Sequence, residues 1–217
     1  LSEKKIVKLA LDQLSKTIDI PIQVDEIDFT LIHNFPNATI QCKNFMVSSP
    51  QKPKSGEQGT LFFTERLFVS VAIKPLLKNI FEIRKIELVD AEIFYRVDTA
   101  GVSNFDFLTD TTQPNVIDTT ANAIFLDIKE FTAENFKCEY DDEKQKASAR
   151  FLFEELKLSG LIDDNDYRGE AEGIARLFNC RYGNTNLYKM ANTNLDFKLA
   201  YKDELLSLEQ LGIAIDE

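Results

Sequence analysis

The sequence predicts a mainly β fold of the α+β class: an N-terminal amphipathic helix, then a curved, largely antiparallel, meandering sheet forming an open groove or partial barrel. Three observations carry this. Apolar residues recur at helical spacing near the start and alternate with period two almost everywhere after it. The alternating runs are separated by short acidic, Asn- or Gly-containing turns. One clear helix for at least seven strands leaves no helical layer to cover a sheet.

Residues 2 to 18 read as the helix. Ser2 can cap it and Glu3 sits in its first turn. Val7, Leu11, Leu14 and Ile18 make one apolar stripe, and Pro21 helps to end it. The stripe packs on a core or, in a sharper reading, on a membrane surface or partner. Residues 63 to 73 then alternate, with Phe63, Glu65, Leu67, Val69, Val71 and Ile73 expected on one face. Lys74-Pro75-Leu76-Leu77 breaks the strand as a single helical turn. Further runs are Ile93, Tyr95, Val97; Ile124, Leu126, Ile128; Phe136, Cys138, Tyr140; Ala147 to Phe153; Ile174 to Cys180; and Leu195 to Tyr201. Asp141 to Lys144, Asp163 to Asp166 and Tyr182-Gly183-Asn184 supply the turns. The segment 86–93 weakly echoes 129–136. Both ends read as cut, the last residues as an unfinished strand, so a longer parent chain is expected. Residues 1–108 form the helix and first sheet section, 109–122 a flexible polar loop and 123–217 the continuing sheet, as one continuous domain.

Composition excludes several classes. A net charge of -11, with no basic block, argues against nucleic acid and against an anionic membrane surface as the main partner. Three scattered cysteines and one histidine cannot supply a structural zinc site, and buried free thiols are the plain reading of Cys42, Cys138 and Cys180. No run of 18 apolar residues spans a bilayer. No nucleophile, zincin or phosphate-loop motif is present, and His33 reads as a loop residue. The segment from Asp164 falls short of a calcium loop, with Arg168 and Ala175 where ligands belong, and reads as a hairpin turn. No cofactor, metal or catalytic residue is expected.

The order of elements resembles a known family. Ile27 to Thr30 leads to Phe35-Pro36 and then to Ala38–Val47, with its Asn44-Phe45 step. Leu67 to Ile73 runs into Pro75-Leu76-Leu77; Ile86-Glu87-Leu88 and Ala91-Glu92-Ile93 follow; Gly101, Asn104 and Phe105 close the stretch. These pieces, in this order, resemble the AsmA proteins of Gram-negative envelopes, closely over residues 1 to 108 and in style beyond. Asp90 departs from a common proline. The resemblance implies an inner-membrane anchor ahead of this chain, a periplasmic body, a tie to outer-membrane homeostasis and phospholipid movement, and a kinship in architecture with bridge-like lipid carriers. It carries over no catalytic residue.

Physics makes a groove plausible independently. Strands with one apolar face must curl, pair with a second sheet or leave an apolar trough. A dozen buried methylenes contribute roughly 10 kcal/mol before entropy costs, enough to hold a lipid without a headgroup site. The expected lipid-contacting face carries Leu67, Val69, Val71, Ile73, Ile93, Tyr95 and Val97, continued by Ile124, Leu126, Phe151, Phe153, Phe197 and Leu199. The partner is then phospholipid or another acyl lipid. A second reading is a structural module that binds other envelope proteins through an edge strand. A third is an enzyme or sugar-binding sandwich, which the absent tryptophan and catalytic motifs disfavour.

Overall fold

The computed structural model describes residues 21–34, 37–49, 59–76, 81–106, 124–163, 166–202 and 205–215. The expected helix over 2–18 and the polar loop over 109–122 lie outside the described residues. Within them ten strands form one sheet. They are β1 (Ile22–Gln23), β2 (Glu26–Asn34), β3 (Asn37–Ser48), β4 (Thr60–Ala72), β5 (Phe81–Val97), β6 (Ile124–Asp142), β7 (Ala147–Asp163), β8 (Asp166–Tyr182), β9 (Thr185–Lys202) and β10 (Leu205–Ile215). The helical turn at Pro75 is present as α1 (Ile73–Leu76). Ile73, expected on a strand, therefore belongs to this turn, but it still packs on the Ala38–Val71 cluster.

From β3 to β10 the strands lie side by side in chain order, with β1 and β2 both on the outer edge of β3. The two ends do not meet, so the sheet is open rather than a closed barrel. All pairs but one are antiparallel. The exception is β5 with β6, which run parallel. A parallel neighbour requires the chain to return to the same end, which takes a dozen or more residues. β5 ends at Val97 and β6 begins at Ile124, so the simple meander expected from the sequence is interrupted once among the described strands.

One irregularity organises the sheet. Asn44, Asp90 and Asn135 adopt φ values of 49°, 54° and 52°. Asn and Asp tolerate this left-handed region better than other residues with a side chain. The three lie in one line across the sheet, because Phe45 pairs Thr64, Thr64 pairs Ala91 and Ala91 pairs Phe136. On β4 the matching feature is a pair of successive exposed residues, Glu65 and Arg66. Each strand thus shifts its side-chain phase by one at the same level, and the pairing register is kept. The sequence expectation is corrected here: Leu67 shares its face with Phe62, not with Phe63 or Glu65. Phe63 faces the other way, opposite Met46 and Glu92. The echo between 86–93 and 129–136 is spatial, with Ile86 beside Phe131, Leu88 beside Ala133 and Asn135 Nδ2 donating to Asp90 Oδ1 at 3.1 Å.

At β7 the phase shift ends. Phe153 pairs Ala175 but Glu155 pairs Ile174, so β7 carries one residue more than β8. The bulge presses on Gly173, where an added Cβ would lie 2.4 Å from the Glu155 carbonyl oxygen. Only glycine fits there.

Because the left-handed conformation is costly for a β-branched residue, Asn135→Val is expected to destabilise the fold by about 1–3 kcal/mol, and Asn135→Gly far less. Urea midpoints measure this; equal midpoints for Asn135→Val and wild type would remove the conformational role assigned to Asn135.

Candidate functional site

Cross-strand partners point to the same side of a sheet. Following them from β2 to β10 gives a row of Ile27, Cys42, Leu67, Leu88, Ala133, Leu156, Gly173, Phe197 and Leu211. The next row is Phe29, Ile40, Val69, Ile86, Phe131, Leu158, Ala171 and, on β10, Leu208. Beyond the irregularity two more rows follow. One holds Ala91, Phe136, Phe153, Ala175 and, on β10, Ile213. The other holds Val47, Phe62, Ile93, Cys138, Phe151 and Leu177. At about 4.8 Å between strands, nine strands make an apolar face roughly 40 Å across.

That face is sealed at one end and open at the other. On β3, β4 and β5, Ala38, Ile40, Cys42, Phe45, Val71, Leu88 and Ala91 are buried. On β10, Leu208, Leu211 and Ile213 are 56%, 51% and 59% exposed. Between them, Phe153 reaches over the small residues of β8 to meet Phe197 edge-on, with centroids 6.3 Å apart. The opposite face carries charged pairs from β5 to β8. Lys85 pairs Glu130 at 2.6 Å, Lys137 pairs Glu92 at 2.7 Å, and Arg176 pairs Glu154. Such half-exposed pairs contribute little to stability, typically under about 1 kcal/mol each. Their effect is to fix which face meets water.

Leu67, Val69, Ile93, Phe151, Phe153 and Phe197 all lie on the apolar face, and Tyr95 and Val97 continue it on β5. Val71 lies there too, sealed at 1% exposure. Register sets Ile124 opposite Phe81, Leu126 opposite Ile83, and Leu199 between Ala171 and Leu208. Sequence reasoning missed Phe62, Leu88, Leu156 and Leu177. The first and third follow a phase shift that strict alternation cannot see. The doublets Glu65-Arg66, Glu134-Asn135 and Glu154-Glu155 were the available signal, since two polar residues in succession break an alternating strand.

A family model of the AsmA family matches residues 6–168. The chain belongs to the AsmA family. Comparison with curated proteins returns no match, and neither does comparison with solved structures. Membership points to the cell envelope, with which a periplasmic body is consistent. Among the described residues no helix is long and apolar enough to cross a membrane.

The AsmA-like motif at Gly101, Asn104 and Phe105 has a physical basis here. Asp98 Oδ1 accepts from the backbone N–H groups of Ala100, Gly101 and Val102, and Gly101 takes φ of 94° to close the turn. The Asn104 side chain then bonds the β5 backbone twice, accepting from Arg96 N and donating to Phe94 O. This seats Phe105 flat against Tyr95, with centroids 5.7 Å apart.

The three cysteines are free thiols. Burial pushes Cys42 and Cys138 from an ordinary value of 9.0 up to about 11. Between pH 9 and 11 the unfolded chain releases protons that the fold retains, so these thiols make stability fall as pH rises through that window. The double variant Cys42→Ala, Cys138→Ala should show a shallower fall in its urea midpoint over that range. Identical slopes would mean that neither thiol is effectively buried.

Proposed function

We propose that this AsmA-like chain is a non-enzymatic envelope component whose open apolar face carries acyl lipid. In this reading its body is periplasmic and its tether to the inner membrane lies outside the described residues. The observation that supports it is the continuous apolar face across nine strands, over which the described residues place no second layer of strands or helix. An acyl chain laid on such a face is held by partitioning, at about 0.8 kcal/mol per buried methylene. Different chains fit equally, and the lipid can slide, because no single polar contact fixes its position. The charged reverse face keeps the sheet from stacking on itself.

A second reading has its own observation. Among the described residues, strand β10 is an edge of 11 residues with one charged side chain, Glu209. Long apolar edges of this kind accept a further strand, so a protein partner could be captured there.

Two substitutions and one mass measurement test the lipid reading. Val71 is sealed against Ala38, so Val71→Asp buries an unpaired carboxylate and should unfold the domain. Phe151 is only half-buried on the open part of the face, so Phe151→Asp should remain folded. Native mass spectrometry of protein purified from cells should show bound phospholipid on wild type and markedly less on Phe151→Asp. A lipid-free wild type, or unchanged occupancy in a folded Phe151→Asp, would shift the weight to the edge-strand reading.

A further inference from the structure

The apolar face changes character where β5 and β6 end together. Tyr95 pairs Tyr140, and beyond them Val97 pairs Asp142, all in phase with Ile93 and Cys138. Tyr95, Tyr140, Asp142, Lys144 and Gly101 line an open surface cavity of about 630 Å³ there. Phe105, Tyr95 and Tyr140 form a row of near-parallel rings, with 5.7 Å between successive centroids.

Asp142 is 4% exposed. Its Oδ2 accepts from the Tyr140 hydroxyl at 3.1 Å and its Oδ1 from the Gln145 backbone N–H at 2.7 Å. Both donors are neutral, and no ion pair to Asp142 occurs among the described residues. A carboxylate so placed attracts a cation, because burial weakens its hydration and nothing charged replaces it. Lys144 also lines the cavity and lies across Gly101, its Nζ donating to the Ala100 carbonyl at 3.4 Å. The missing side chain makes that path: a Cβ at Gly101 would stand 2.6 Å from Nζ.

One anion and one cation therefore flank a cavity at the end of an apolar strip, beside electron-rich rings. We propose that this cavity is a headgroup seat for a zwitterionic phospholipid, with the ammonium between Asp142 and the tyrosine rings and the phosphate on Lys144. The inference rests on the lipid-carrying reading and adds a selectivity to it. An ammonium gains both the carboxylate and the ring quadrupoles. An anionic headgroup without an amine gains Lys144 and faces repulsion from Asp142.

The test uses two soluble lipids with identical chains, dihexanoyl phosphatidylethanolamine and dihexanoyl phosphatidylglycerol, titrated calorimetrically below their micelle concentrations. Wild type should bind the ethanolamine lipid about tenfold more tightly, the scale of one charge-assisted contact. Asp142→Asn should remove the preference by weakening the ethanolamine lipid alone, while Lys144→Gln weakens both. If circular dichroism shows Asp142→Asn unfolded, Tyr95→Leu takes its place, since that side chain is exposed, and it should likewise reduce the preference. Equal binding of both lipids by wild type, or a preference that survives these substitutions, overturns the headgroup seat. If both bind equally and Phe151→Asp releases both, lipid carriage stands and only the seat is lost. If neither lipid binds, the carrying face and the seat both fail.

Discussion

A single-layer sheet has an apolar face that must be put somewhere, and everything else in this chain follows from keeping that face continuous. The difficulty is geometric. Strands of 17 to 19 residues, such as β5 and β6, twist and tend to lose register with their neighbours. The line of left-handed residues at Asn44, Asp90 and Asn135 absorbs one residue in each strand at one level. Had one strand shifted alone, every side chain beyond it would have changed sides. Because β3, β4, β5 and β6 shift together, the apolar rows on either side of the irregularity stay on one face. The bulge before Leu156 then lets β7 meet the Ala171, Gly173 and Ala175 alternation of β8.

Burial along the face is graded, and that grading connects fold to function. The β3–β5 end, where two short strands share one edge of β3, packs tightly around Ile40, Cys42 and Phe45. This end holds the sheet together. Toward β10 the same rows lie open to solvent. A protein built only for stability would cover those leucines and isoleucines, since exposed apolar area of this extent invites association. Left open, they are the part of the face on which the proposed lipid carriage depends. The lone parallel pair has a role as well: it brings the ends of β5 and β6 to one place, so the loop bearing Phe105 and the turn bearing Lys144 meet there.

Much of this was legible in the sequence. Period-two patterning identified stretches of β4 to β9, with β6 read as two separate runs, and the motifs around Asn44, Pro75, Gly101 and Asn104 identified the family. Leu67, Val69, Ile93, Phe151 and Phe197 fell on the expected face because each lies inside a stretch of clean alternation. Phe63 was misplaced because strict parity was carried through Glu65-Arg66, where the strand slips by one. The parallel pairing of β5 with β6 was invisible, since alternation describes a strand and not its neighbour. Asp142 was hidden among the acidic residues of a turn, and nothing in the sequence distinguished it from Asp141 or Glu143.

Neighbouring residues on β7 separate the two faces most directly. A photo-crosslinking amino acid placed singly at positions 151 to 157 of this strand would report which positions touch acyl chains in protein loaded with phospholipid. The account predicts crosslinks at Phe151, Phe153 and Leu156, and none at Leu152, Glu154 or Lys157, a step of two followed by a step of three. Crosslinks at Leu152 and Glu154, or an even pattern with no preference for one face, would contradict the claim that lipid lies on the continuous apolar side of the sheet.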